Sequence, residues 1–107
     1  MGGQYIDVKA ADASGTFKAY LATPPQGKGP GIVIIQEIFG INEFVIGMAD
    51  AYAAKGFVTI APDLFWRQQP GVKLGYSEED WKQAFAYMQG FDQALGVNLS
   101  AGLAQAL

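Results

Sequence analysis

Any chemistry in this 107-residue chain must come from carboxylates, hydroxyls and amines, because it contains no Cys and no His. That removes thiolate nucleophiles, Cys or His metal sites, disulfides, and every Ser-His or Cys-His pair. Two short segments concentrate what remains: Gln36-Glu37-Ile38-Phe39-Gly40 and Pro62-Asp63-Leu64-Phe65-Trp66-Arg67. Each directly follows an apolar run. A carboxylate placed there, as at Glu37, either faces a pocket or needs a cation or amide to offset its desolvation. Arg67 is one such cation, which would make Glu37 and Arg67 a structural ion pair and Asp63 a turn or capping residue. Glu37 and Asp63 also permit an acid/base pair of the two-carboxylate kind.

Other residues offer weaker chemistry. Phe65, Trp66, Trp81, Phe85 and Tyr87 either wall an aromatic pocket or belong to the core. Gly27-Lys28-Gly29-Pro30-Gly31 is rich in glycine, but it precedes a strand instead of linking a strand to a helix, so it is not a phosphate loop. Asn98-Leu99-Ser100-Ala101-Gly102 approaches a nucleophile-elbow pattern, yet it follows no strand and has no His to activate Ser100. Asn98-Leu99-Ser100 also matches a glycosylation acceptor, without a secretory route to use it.

The elements that position these segments are legible from periodicity. Gln4 to Lys9 and Thr16 to Ala22 alternate, with Ser14-Gly15 between them, which predicts a β-hairpin. Ile32-Val33-Ile34-Ile35 is a continuous β-branched run, which predicts a central strand of a parallel sheet. Asn42 stands as an N-cap ahead of Phe44, Val45, Met48, Ala49 and Tyr52 at helical spacing, with Lys55-Gly56 as end signals. Phe57 to Ala61 is a second apolar strand stopped by Pro62, so residues 32 to 61 read as a strand-helix-strand crossover. Leu64 to Gly75 reads as a loop. Ser77 caps an acidic first turn, and Trp81, Ala84, Phe85, Met88 and then Phe91 or Leu95 trace an apolar stripe. Leu99, Leu103 and Leu107 suggest a third helix, with no end signal after it.

In open α/β sheets, ligands gather beyond the carboxyl ends of the parallel strands. Those ends deliver the two segments that carry Glu37 and Asp63. The segments also carry a resemblance. Gln36-Glu37-Ile38-Phe39-Gly40-Ile41-Asn42, then Tyr52-Ala53-Ala54-Lys55-Gly56-Phe57, then Ala61-Pro62-Asp63-Leu64-Phe65-Trp66-Arg67-Gln68 are similar in order and spacing to the dienelactone hydrolase family, and Phe91-Asp92 and Gly96-Val97 continue the match. The resemblance implies an α/β-hydrolase fold and hydrolysis of carboxylic esters or lactones by a Cys-His-Asp triad.

In that family the glutamate of the Gln-Glu-Ile-Phe-Gly segment contacts the resting nucleophile, and the next backbone N–H helps to form the oxyanion hole. Those roles would fall to Glu37 and Ile38. The family's Cys, Asp and His lie later in its sequence than the residues matched here, and no residue of this chain inherits their roles. Phe39, Arg67, Trp81 and Phe85 are the substrate-contact candidates. Trp81, Lys82 and Phe85 stand where the dienelactone enzymes place an arginine and a tyrosine, so dienelactone itself is not the expected substrate.

The expectation is one partial domain over residues 1–107, the N-terminal half of an α/β-hydrolase ending before the nucleophile elbow. Its sheet would be mixed and mostly parallel, with about four strands and three helices. Alone it is expected to be catalytically silent, without cofactor or metal. A non-catalytic, self-associating module and a small-molecule binder are the rival readings. Partners would be a small ester or lactone in the full-length relative, and either a second copy or a completing C-terminal half.

A net charge of −3 without a dense Lys/Arg stretch gives nucleic acid no footprint. No apolar run approaches the ~20 residues that span a bilayer, and Met1 to Lys9 lacks a secretory pattern, which points to the cytoplasm.

Overall fold

The computed structural model describes residues 3–10 and 13–91. Six elements follow one another: β1 (Gln4–Lys9), β2 (Thr16–Ala22), β3 (Gly31–Val33), α1 (Glu43–Ala54), β4 (Val58–Pro62) and α2 (Glu78–Gly90). The four strands form one mixed sheet in the order β1-β2-β4-β3. The expected hairpin is present, with Gln4 opposite Leu21 and Lys9 opposite Thr16.

Antiparallel pairs outnumber parallel ones in this sheet. β2 runs antiparallel to β4, with Ala19 opposite Pro62 and Ala22 opposite Thr59, and only β3 and β4 are parallel. The expected balance was mostly parallel. It differs because both hairpin strands enter the same sheet as the crossover, on the free side of β4.

A second correction concerns the run at 32 to 35. Among the described residues its strand is Gly31–Val33 and lies at the edge of the sheet, not at its centre. One neighbour gives it three paired positions, Gly31 with Val58 through Val33 with Ile60. The Ile34 N–H adds one more bond to the Ile60 carbonyl at 2.8 Å. With nothing among the described residues hydrogen-bonded on the far side, Ile35 is 59% exposed although its neighbour Ile34 is buried. The predicted third helix, Leu95, Gly96-Val97 and the Asn98 to Gly102 segment lie outside the described residues.

Alternation along β2 and β4 divides the core between the two faces of the sheet. Tyr20, Ala22 and Ala61 join Ile34, Ile41 and the α1 residues Val45, Ala49 and Ala53 in one cluster. Phe17, Ala19 and Ile60 join Val8 and Ala10 in the other, with Leu64 and Trp66 packed against it. Helix α1 approaches closely because it meets the sheet through small side chains. Thr59, fully buried, donates from Oγ1 to the Ala49 carbonyl at 2.8 Å.

Chain order at both helix starts matches the capping signals. Asn42 Oδ1 accepts the Val45 N–H at 3.3 Å, and Ser77 Oγ accepts the Asp80 N–H at 3.2 Å. The C-terminal turn of α1 closes with Gly56 at φ +105, a conformation glycine tolerates best.

The N-terminal end is tied to α1 by a short polar relay. The Gly3 N–H donates to Tyr20 Oη at 2.6 Å, and Tyr20 Oη donates to Asp50 at 2.7 Å. Burial pushes the Tyr20 phenol above its ordinary value, and the bond to Asp50 adds to the rise.

Candidate active site

The two parallel strands β3 and β4 end side by side, and the segments that follow them are held together by side-chain hydrogen bonds. Gln36, 8% exposed, is the first tie. Its Oε1 accepts the Leu64 N–H at 2.9 Å, and its Nε2 donates to the Glu37 carbonyl at 3.1 Å. One buried amide thus fixes the spacing of the two strand ends. Sequence reasoning assigned Gln36 no role; a polar residue straight after a buried run was the available signal.

Asp63 organises the second segment. It is 2% exposed, and its carboxylate accepts the Phe65 N–H at 3.2 Å and the Gly71 N–H at 2.8 Å. Burial raises its carboxyl above the ordinary value, while the two N–H donors act in the opposite sense. Both oxygens are occupied by the loop's own backbone, so Asp63 acts as a turn-forming residue. It is not one half of an acid/base pair with Glu37.

The loop shaped by Asp63 returns to clamp the Glu37 segment. The Leu74 N–H donates to the Phe39 carbonyl at 2.8 Å, and the Ile41 N–H donates to the Val72 carbonyl at 3.2 Å. Gly40 sits between them at φ +81, and a Cβ there would run into the Val72 carbonyl oxygen. Asn42, besides capping α1, donates from Nδ2 to the Leu74 carbonyl at 3.2 Å and to Tyr76 Oη at 3.3 Å. Residues 36 to 42 are therefore held on three sides by residues 64, 72 and 74.

Within this hydrogen-bonded segment two residues border open space. The Glu37 side chain is exposed. Among the described residues the Ile38 backbone N–H has no hydrogen-bond partner. Both residues line a cavity of about 230 Å³, together with Ile35 and Gln36 from the end of β3 and with Leu64, Phe65, Met88 and Phe91. Met88 and Phe91 were legible as part of the α2 stripe, but periodicity does not distinguish a core position from a cavity wall.

The expected ion pair between Glu37 and Arg67 does not form. The Arg67 guanidinium lies over the Trp66 ring, 4.5 Å from its centroid, and donates to Ser14 Oγ at 2.6 Å. Adjacency to Trp66 and the proximity of the hairpin link turn it away from Glu37. Phe39 is buried, with Tyr76 and Trp81 edge-on at centroid distances of 4.7 and 5.0 Å, and Trp81 meets Phe85 at 5.5 Å. Phe39, Trp81 and Phe85 thus form one aromatic group, and Arg67 is not in it. Phe65 stacks on Tyr87 at 5.4 Å and meets Phe91 edge-on at 5.9 Å, which fixes α2 against the loop after β4.

No group of three or more potential metal ligands occurs among the described residues. No helix among them is long and apolar enough to cross a membrane.

The family model for the dienelactone hydrolase family matches residues 17–106. A protein of Azospirillum brasilense assigned as a carboxymethylenebutenolidase is 49% identical over 90 residues, which cover 82% of this chain and 38% of that one. The carboxymethylenebutenolidase of Pseudomonas sp. strain P51 is 40% identical over 77 residues, 72% of this chain and 31% of the relative. Among solved structures, a dienelactone hydrolase-like promiscuous phosphotriesterase from metagenomic libraries aligns with 100% of this chain and 43% of its own. That alignment has a TM-score of 0.64 at 19% identity, a likeness of fold.

The chain spans less than two fifths of the length of these two curated relatives. The mixed sheet, the clamped Gln36 to Asn42 segment and the match over residues 17–106 lead to one conclusion: the chain belongs to the dienelactone hydrolase family.

Proposed function

We propose that these residues supply the oxyanion loop and part of the pocket wall of a carboxylic ester or lactone hydrolase, and that the 107-residue chain alone does not turn over substrate. The observation that carries the reading is the Ile38 N–H, which has no partner among the described residues and lies on a segment tied by the Gln36, Phe39 and Ile41 hydrogen bonds. A fixed N–H aimed at a developing oxyanion contributes about 3 kcal/mol, because it needs no reorganisation as charge appears.

Glu37 beside it would set how readily a family nucleophile ionises. Cys and His would have to come from elsewhere, since neither occurs in this chain.

The test has two arms. The purified chain should hydrolyse p-nitrophenyl acetate no faster than buffer. Hydrolysis that survives Glu37→Gln would overturn the reading. Joined to the C-terminal part of a family member, the chain should gain esterase activity. Ile38→Pro, which deletes the N–H, should then lower kcat by about a hundredfold, with Ile38→Val close to wild type.

A second reading, self-association through an unfinished sheet, is favoured by the β3 edge. There Val33 and Ile35 are exposed and, among the described residues, the backbone has a neighbour on one side only. It predicts a dimer by light scattering, and a stable monomer at high concentration would remove it.

A further inference from the structure

A second cavity lies between the hairpin and the far end of the 36 to 42 segment, and it shares no lining residue with the one at Glu37 and Ile38. Its volume is about 240 Å³, below the usual range for drug-sized ligands, so its occupant would be small. Tyr5 of β1 and Lys18 of β2 reach it from one face of the hairpin, where Tyr5 stands opposite Tyr20 and Lys18 comes two positions before Tyr20. Ile41 comes from the clamped segment, and Gly71, Val72 and Lys73 come from the loop that Asp63 shapes.

The walls are tied to the body of the domain. Ile41 and Val72 are 4% and 6% exposed, and the Ile41 N–H donates to the Val72 carbonyl. Tyr5 is braced edge-on by Tyr20 at 5.4 Å. Asp63 accepts the Gly71 N–H at 2.8 Å, and a Cβ on Gly71 would meet nothing within 4 Å, so the backbone there borders open space.

The charges lining this cavity are mainly positive. Lys18 and Lys73 both line it, and Asp63 is the one acid that does among the described residues. Asp63 has both oxygens engaged by backbone N–H groups, which meet its charge within the loop. The acids that pair with the lysines, Asp7 and Glu43, do not line the cavity. Asp7 holds Lys18 at 2.6 Å. Lys73 is held less closely, because Glu43 stands 3.5 Å away with its side chain 92% exposed, and the loss of such a pair costs little. An anion in the cavity would take Lys73 in exchange for a carboxylate that returns to water.

Apolar walls beside one exchangeable cation suit a particular chemistry. A ring or short chain fits against Ile41, Val72 and the Tyr5 ring, while a single negative charge meets Lys73. Phosphate has no apolar part to set against those walls, and its second charge would face Asp63. We infer that this cavity binds a small carboxylic acid, its carboxylate on Lys73 and its apolar part between Ile41, Val72 and Tyr5. The site goes beyond the hydrolase reading and stands whether or not that reading holds.

Amide NMR on the isotope-labelled 107-residue chain tests the site with benzoate, benzamide and benzylamine, which share a ring and differ in charge at neutral pH. Benzoate should shift the Ile41, Gly71, Val72 and Lys73 amides saturably and leave Met88 and Phe91, in the other cavity, unmoved. It should bind about fivefold more tightly than benzamide, the factor that one exposed ion pair supplies, and the protonated amine should bind more weakly than either. High salt should narrow the preference. Lys73→Gln, at a half-exposed position, should remove it while the remaining amide spectrum stays folded, and Lys73→Arg should keep it. Inorganic phosphate should not displace benzoate.

Equal affinity for the three rings would overturn the inference, as would shifts confined to Met88 and Phe91 or a titration that never saturates. An undiminished preference for benzoate in Lys73→Gln would do the same, because the charge would then be read elsewhere. Displacement by phosphate would replace the carboxylic acid with a general anion site and so also overturn it. Turnover plays no part in this readout, so its failure leaves the hydrolase reading untouched.

Discussion

Phe17 and Ile35 are both large apolar residues within or just beyond strands of one sheet, yet Phe17 is 2% exposed and Ile35 is 59% exposed. The hairpin side of the sheet encloses its apolar side chains within these residues, although β1 is itself an edge strand. β2 has a strand on either side, and Phe17 is enclosed by Val8, Ala10, Ala19 and Ile60, with Trp66 tilted over it at 5.9 Å. Among the described residues the β3 side leaves Val33, Ile35 and the α2 residues Trp81, Phe85 and Met88 open to solvent. Structure and chemistry are thus divided: stability resides where side chains are enclosed, and the candidate site borders the side where they are not.

The sharpest way to break this comparison is to hollow the closed side. Phe17→Ala should cost about 4 kcal/mol, because a ring with no exposed face leaves a cavity that the sheet cannot collapse around. Urea denaturation should show the midpoint falling by most of its range. A loss below about 1 kcal/mol would mean that the hairpin face is not the core.

Gly40→Ala comes next. The left-handed backbone and the Val72 carbonyl together forbid a Cβ there, so either the 36 to 42 segment or the 71 to 74 segment must move. A cost of about 3 kcal/mol is expected, less than for Phe17 because loops yield more readily than a packed sheet. The same substitution should shift the Ile38 amide resonance, since its segment is set by this contact.

How much of this was legible beforehand differs by region in the same way. The hairpin, the caps at Asn42 and Ser77 and the two strand-end segments follow from local signals, namely alternation, capping residues and turn residues, each completed within a few neighbours. The position of β3 does not. A β-branched run such as Ile32 to Ile35 reports that its residues suit a covered strand, but not that one neighbouring strand is missing from the described residues. The direction of Arg67 was equally illegible. Its choice between Glu37 and Ser14 depends on a hairpin link 53 positions away in sequence. Gln36 and Asp63 were recognisable as polar residues at strand ends, yet their partners, Leu64, Phe65 and Gly71, are backbone groups, which sequence patterns do not distinguish.

Asp63 gives an intermediate test, because it links the closed core to the open site. Its folded-state carboxyl is raised above the unfolded value, mainly by burial. The native state then holds the proton more tightly than the unfolded state. This contribution to stability is greatest below the unfolded pKa and is lost as pH rises to the folded one.

Asp63→Asn abolishes that titration. It also places an amide NH2, which cannot accept, opposite one of the two backbone N–H groups. At neutral pH the variant should be less stable by about 1–2 kcal/mol. The gap between wild type and variant should narrow as pH rises just above the ordinary carboxylate range. Thermal melts in paired buffers read the gap directly, and a gap that widens with pH would mean that the N–H donors outweigh burial.

The smallest expected effect on stability is the most informative about the open side. Ile35→Lys replaces an apolar side chain that is already more than half in water, next to a strand edge that has no second neighbour among the described residues. The folded chain has little to lose there, and a change within about 0.5 kcal/mol is expected in urea. Any assembly built on that edge has much to lose, because a charge on an edge strand opposes pairing with another strand. Light scattering before and after the substitution therefore separates the two sides of the comparison. Unchanged stability with loss of a dimer places the unfinished surface at β3. A destabilisation of several kcal/mol would instead mean that Ile35 is enclosed in solution, and the division between a closed hairpin side and an open site side would fail.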